Sequence, residues 1–403
     1  MVRRLFAARF LAAAGQKVVK ETLDFGSTCV RMPNGMPDAG ASSLFDARIV
    51  RQGETTGMTF IRKQWFQIVV AMGVAFFAAP LLAASDKAAG QAPRMQVISL
   101  ESAGAAYPFA VYANTDLGQP GAGIARAVVL LHGVRRDADR YFEVGQALLQ
   151  AARLDASNTL LLAPHFLAPT DKSPDGNIPL WRGDNWMQCQ PATGQEAVNS
   201  CGVLDGIARY LTTAKRFPAL KEIIFIGHSA GAQLMQRYAV LNNSEEALRK
   251  AGIQVRYVVS SPSSYLYLDA SRPEGEGFKA VNSILCPGYN NFRYGPDNMV
   301  PYGQGLDGEQ LFKRYAARDV LYLVGAKDNN PNHRLLDKSC GAGMQGTDRL
   351  DRQRNYLRYE QFLAGKWQTP VKREAVEVPG AAHEAAGIFE SGDVAAKIFR
   401  PDK

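Results

Sequence analysis

The sequence predicts an α/β protein: a doubly wound, mostly parallel sheet with helices on both faces and a cap-like insertion. Three observations carry that expectation. The stretches Ala127–Leu131, Thr159–Ala163 and Glu222–Ile226 are strand-length runs dominated by aliphatic residues, as a sheet covered on both faces requires. Segments of helical period follow them at Arg140–Leu154, Val203–Thr213 and Ala230–Leu241. The 403 residues are 46% hydrophobic and 21% charged, an ordinary globular composition with enough apolar material for a large core.

The elements follow in order. Met95–Leu100 and Phe109–Asn114 read as a leading hairpin. The three buried strands and their helices come next, with a long loop rich in Pro, Gly and Trp after Ala163. Val255–Ser260, Val320–Val324 and Ala375–Val378 are further strands. Right-handed crossovers between such strands give the doubly wound sheet. Residues 261–318 exceed an ordinary βα connection. They are rich in Gly and aromatics, among them Tyr265, Tyr267, Phe278, Tyr289 and Tyr302. They are expected either to cap the carboxyl edge of the sheet or to pack as loops with no ligand role.

Upstream of this domain, expected at 95–403, lies a leader. Met58–Lys63 forms a short basic head, Trp65–Leu82 an apolar middle, and Ala83-Ala84-Ser85 a small-residue exit. This pattern predicts a signal peptide at 58–84 and a polar linker at 85–94. Residues 1–57 are then expected to be a gene-model extension or a disordered leader. A secreted or periplasmic protein follows, and a membrane anchor formed by the same segment is the alternative. The formal charge of +8 sits mainly in the leader: residues 1–84 carry ten Lys/Arg and five Asp/Glu, against 36 and 33 in the rest. Without a basic run in the body, nucleic acid is not an expected partner.

Cys189, Cys201, Cys286 and Cys340 are expected to pair as 189–201 and 286–340, the first pair being close in one polar loop. Four reduced cysteines are the alternative. Without CxxC or neighbouring histidines a zinc site is not expected, and the serine chemistry described next needs neither a metal nor an organic cofactor.

Chemistry concentrates at Gly227-His228-Ser229-Ala230-Gly231, between an apolar strand and a helix. This G-x-S-x-G elbow forces the serine into a strained turn, so its neighbours two residues away must lack bulk. The hydroxyl projects at a helix N-terminus, where developing negative charge is favoured. A serine needs a base to take its proton. Of five histidines, His383 follows the last strand on the elbow's edge of the sheet and is the expected base, with His333 the runner-up. His132 is expected to bond within its own turn, and His228 to point away from the serine. Asp328, just past Leu321–Lys327, is the expected carboxylate to orient the imidazole, ahead of Asp337 and Asp297. The amides of Val134 and Ala230 are the expected oxyanion donors. Trp181 and Trp186 are expected to wall a pocket, or else to pin their loop, and Tyr265 is a further substrate-binding candidate. Arg182 and the Arg135-Arg136 pair are expected either to be surface charges or to line the site, and in the second case anionic substrates are expected.

In Leu131-His132-Gly133, Gly227-His228-Ser229-Ala230-Gly231, Gly325-Ala326-Lys327-Asp328 and Gly380-Ala381-Ala382-His383 the chain resembles the α/β-hydrolase fold superfamily, over about residues 95–400. More narrowly, it is similar to secreted serine esterases and hydrolases of that superfamily. The resemblance implies a carboxylic ester hydrolase acting through an acyl-enzyme on a small-molecule ester. It departs from relatives with an HGGG oxyanion loop and from those with a preceding β-propeller. A serine peptidase or amidase on the same scaffold is the first alternative, and a non-catalytic binding protein the second. A serine at the elbow disfavours epoxide or haloalkane hydrolysis, which uses a carboxylate there.

Overall fold

Aliphatic residues alternate between the two faces of a central sheet, and that alternation organises the fold. The computed structural model describes residues 95–213 and 216–400, all within one compact unit, Ala83–Lys403. The expected extension, signal peptide and linker lie outside the described residues. The chain opens with β1 (Met95–Ser102), β2 (Ala105–Ala113) and β3 (Arg126–Leu131), then α1 (Ala138–Ala151) and β4 (Thr159–Pro164). A small hairpin, β5 (Pro191–Ala192) with β6 (Gln195–Asn199), leads into α2 (Ser200–Thr212). Next come β7 (Glu222–His228), α3 (Ala230–Leu241), α4 (Glu245–Lys250) and β8 (Gln254–Ser260). The insertion holds the hairpin β9 (Ser271–Glu274) and β10 (Gly277–Ala280), and α5 (Gly308–Ala316). The chain continues through β11 (Asp319–Gly325), α6 (Cys340–Gly343), α7 (Arg349–Lys366), β12 (Glu374–Val378), α8 (Ala385–Phe389) and α9 (Gly392–Ile398).

Among the described residues the main sheet has eight strands in the order β1-β2-β4-β3-β7-β8-β11-β12. In that order the strands from β4 to β12 are mutually parallel, and β2 pairs antiparallel with both β1 and β4. Val128, Leu130, Ile224, Ile226 and Leu323 face α1, α8 and α9. Val129, Leu131, Ile223, Phe225 and Tyr322 face α2, α3, α5 and α7. Period-two alternation thus buries both faces. Cys189 is bonded to Cys201 and Cys286 to Cys340. No described helix is long and apolar enough to cross a membrane.

Two features depart from the sequence reading. The insertion is not surface loop throughout. Its first residues, 261–268, run through the core, where Tyr265 stacks on Tyr356 at 4.4 Å and Tyr267 meets Tyr359 at 4.2 Å. These two rings find their burial against α7, while Phe278, Phe292, Tyr294 and Tyr302 of the same insertion are half-buried. The helix α7 itself carries no sequence signal of amphipathicity, because its buried face includes Arg349, Arg352, Gln353, Asn355 and Glu360 beside Tyr356 and Leu363. A helix that buries polar groups by pairing them hides its apolar stripe.

Candidate active site

Register brings the ends of β3, β7, β8, β11 and β12 to one edge of the sheet, and the reactive side chains gather there. At the end of β7, Ser229 takes φ 57° and ψ −117°, a conformation that costs a non-glycine residue about 1–3 kcal/mol. The strain is held from both sides: Ser229 N–H donates to the Ser260 carbonyl at 2.9 Å, and Gln233 N–H to the Ser229 carbonyl at 3.1 Å. The flanking glycines are required by space. A Cβ on Gly231 would lie 2.6 Å from the His132 carbonyl oxygen, and one on Gly227 2.8 Å from the Ala232 nitrogen.

His383 Nε2 lies 3.0 Å from Ser229 Oγ, and His383 Nδ1 lies 2.8 Å from Asp328 Oδ2. The consistent arrangement has Nδ1–H donating to the carboxylate and Nε2 accepting from the hydroxyl. The loops carrying Asp328 and His383 are tied together: Ala326 N–H donates to the Val378 carbonyl at 3.0 Å and Lys327 N–H to the Ala381 carbonyl at 2.8 Å. Burial raises the Asp328 carboxyl, but the hydrogen bond and charge of His383, with the Arg349 guanidinium, hold it below the usual carboxylate range.

Two partners of this chain of contacts had no visible signal in the sequence. The first is Arg349, 1% exposed, which donates from Nη1 to Asp328 Oδ1 at 3.2 Å and from Nη2 to the Leu335 carbonyl at 2.8 Å. It opens α7, where the helix dipole disfavours a cation. The Asp328 contact explains its presence there. The second is His228, inside the elbow. Its Nε2–H donates to the His383 carbonyl at 2.7 Å, and its Nδ1 accepts from Ser260 Oγ at 3.1 Å. It points away from the serine and grips the backbone of His383 instead.

His132 plays the matching part at the first strand. Its Nδ1–H donates to the Gly133 carbonyl at 2.9 Å and its Nε2 accepts from Phe166 N–H at 3.1 Å. Burial pushes both His132 and His228 down to about 3, so both are neutral in the folded protein. The unfolded chain, with histidines near 6.5, binds two protons that the folded protein refuses between pH 6.5 and about 3. Stability therefore rises with pH across that window and is complete above it. Denaturant unfolding at pH 6.5 and 4.5 is expected to show a loss on the order of 3 kcal/mol, within the ceiling of about 1.4 kcal/mol per pH unit per histidine. A flat profile would contradict neutral burial of these rings.

The other candidates fall elsewhere. His333 lines the same cleft with its ring 5.1 Å from that of His383, but its Nδ1 accepts from Leu335 N–H at 3.3 Å and it has no hydrogen bond to Ser229. Asp337 accepts from Arg293 and Tyr294, and Asp297 is an exposed residue of the insertion. Trp181, Trp186 and Tyr265 do not wall a pocket and are fully buried. Trp181 packs edge-on against Phe109 and Phe166 and donates to the Gln190 carbonyl at 3.0 Å, while Trp186 stacks on Phe166 at 5.3 Å. Two indoles on a long loop release more free energy inside the core than at an open rim, so they pin the loop. Arg136 bonds the Gly183 carbonyl, and neither it nor Arg182 lines the cleft.

The cleft above Ser229 has a volume of about 440 Å³. Gly133 and Val134 line it, and Ala230 follows Ser229 as the first residue of α3. Among the described residues no cluster of three His, Cys, Asp or Glu side chains is gathered to hold a metal. An imidazole between a carboxylate and a hydroxyl, under a helix N-terminus, can move a proton off that hydroxyl as the hydroxyl attacks an acyl carbon.

No family model and no curated protein matches the chain. Among solved structures, it is similar to poly(aspartic acid) hydrolase-1 from Sphingomonas sp. KT-1, with a TM-score of 0.53 and 18% identity over 76% of this chain and 99% of that one. It is also similar to LpqC, poly(3-hydroxybutyrate) depolymerase from Bordetella parapertussis, with a TM-score of 0.53 and 20% identity over 77% of this chain and 92% of that one.

Proposed function

From the α/β-hydrolase fold that this chain has, we propose that it is a serine hydrolase that cleaves carboxylic esters through an acyl-enzyme. The observation that supports this reading is the unbroken hydrogen-bonded line from Ser229 Oγ through His383 to Asp328, at 3.0 and 2.8 Å. Ser229 Oγ attacks the ester carbonyl as its proton passes to His383 Nε2. The amides of Val134 and Ala230 take the oxyanion, and Asp328 stabilises the imidazolium. His383 then protonates the leaving alcohol, and water repeats the sequence to release the acid. His132 holds the Gly133–Val134 turn and His228 holds the His383 backbone, so the donors and the base keep their places through both halves.

Ester is placed ahead of amide on chemistry: an alcohol leaves with less acid assistance from His383 than an amine does. The two structural neighbours are named for a polyester and for poly(aspartic acid), and at their identities they establish the fold alone. Two disulfides support export to an oxidising compartment.

A fluorophosphonate probe is expected to label this protein once, on Ser229, and to abolish turnover of p-nitrophenyl esters in proportion. Peptide mass mapping of the adduct checks the residue. Labelling elsewhere, or full activity after stoichiometric labelling, rejects the mechanism. Paired ester and anilide substrates separate esterase from amidase.

A further inference from the structure

The cleft over Ser229 has charged walls. Arg135 and Arg140 stand on the α1 side, and Arg334 on the loop after β11 that also carries His333. Among the described residues none of these three guanidiniums is engaged in a hydrogen bond or an ion pair, whereas Arg256, Arg318, Arg373 and Arg400 of the same domain are each matched to a carboxylate. Two carboxylates also line the cleft, Asp137 and Glu384. Asp137 sits at the N-terminus of α1, where the helix dipole already meets its charge. The balance over the serine is positive, from cations on opposite walls.

The exposed aliphatic side chains of the lining are few and mostly short. Val134, Leu335, Ala385 and Ala386 are the aliphatic side chains with exposed surface, and Tyr141, which also lines the cleft, is 7% exposed. The large aromatics that would hold a long acyl chain or a ring, Trp181, Trp186 and Tyr265, are spent in the core. Binding energy for a fatty acyl chain scales with apolar area removed from water, and this cleft offers little. What it offers is unpaired guanidinium, whose planar donor fork fits a carboxylate.

We infer that the substrate class is the carboxylate-bearing ester: a short acyl ester carrying an anionic group within reach of Arg140 or Arg334 when its carbonyl is at Ser229. This rests on the serine hydrolase reading of the cleft. The anion lowers KM by pairing with the wall, and the positive field steers it in.

The test compares mono-p-nitrophenyl adipate with p-nitrophenyl hexanoate, which have the same chain length and differ by the terminal carboxylate. Expected for the wild type at low salt is a kcat/KM ratio of about five or more favouring the adipate, shrinking toward one at about 0.5 M NaCl. Arg140→Gln and Arg334→Gln are each expected to lower that ratio about threefold, through KM. A wild-type ratio near one that ignores salt and both substitutions overturns the inference while leaving ester hydrolysis standing. A second arm does not depend on turnover: Ser229→Ala protein is titrated with monomethyl adipate and methyl hexanoate and followed by NMR shifts. If neither nitrophenyl ester is turned over, the serine hydrolase reading fails alone, and this arm decides. Tighter binding of the adipate that weakens with salt upholds the anion site, and equal or weaker binding overturns it.

Discussion

Ester turnover by the Ser229→Ala protein is expected to fall by on the order of 10⁴ to 10⁶-fold, with KM little changed. The reason is chemical rather than structural. Alanine keeps the Cβ and the backbone, so the elbow's φ of 57° and its bonds to Ser260 and Gln233 persist. What disappears is the one oxygen that His383 can deprotonate. The proposed oxyanion donors, the amides of Val134 and Ala230, are untouched by the substitution, so a residual rate above that of water is expected. Thermal unfolding of the variant should match the wild type closely. Initial rates on a short p-nitrophenyl ester, read beside the melting curve, check both halves. A variant that keeps a tenth of wild-type activity would show that the nucleophile is elsewhere.

Arg349→Met is expected to destabilise the domain by about 3 kcal/mol, because removing one partner of a buried ion pair strands the other. Asp328 is 4% exposed and would keep only His383 as a partner for its charge. The Leu335 carbonyl would also lose its shorter hydrogen bond, keeping only Ser263 Oγ at 3.3 Å. Arg349→Lys keeps the charge but cannot reach both acceptors with a planar fork, and about half the loss is expected. The decisive comparison is the double variant with Asp328→Asn. Once the carboxylate is gone, removing the guanidinium strands no charge, so the two losses should fall short of adding by 1 kcal/mol or more, roughly. Denaturant unfolding of the four proteins measures this, and strict additivity would mean that the 3.2 Å contact carries no coupling.

The legible parts of this protein are those written in contiguous residues. The aliphatic runs at 127–131, 159–163 and 222–226 are strands because period and length are local properties. The elbow is legible for the same reason, since its glycines and serine lie within five residues. The positions of Asp328 and His383 follow from topology: parallel strands deliver their carboxyl ends to one edge, and both residues sit just past such an end. The helix α7 was not legible, because its buried face is built of charged and amide side chains whose partners lie on other elements. The fate of Trp181, Trp186 and Tyr265 was not legible either. A large aromatic on a loop has the same sequence signature whether it walls a cleft or anchors in a core, and only the surrounding side chains choose.

By itself, then, the chain's order of residues determined the parallel sheet, the strained turn carrying Ser229 and the succession of hydroxyl, carboxylate and imidazole, all of which depend on short-range pattern and strand direction. Tertiary structure alone decided that Arg349 sits behind Asp328, that His228 grips the backbone of His383, and that Arg140 and Arg334 rather than the tryptophans face the cleft. Each of those is a contact between residues far apart in the chain. Which distant groups share a desolvated space is settled by the packing of the whole core, and no local window of residues contains that information.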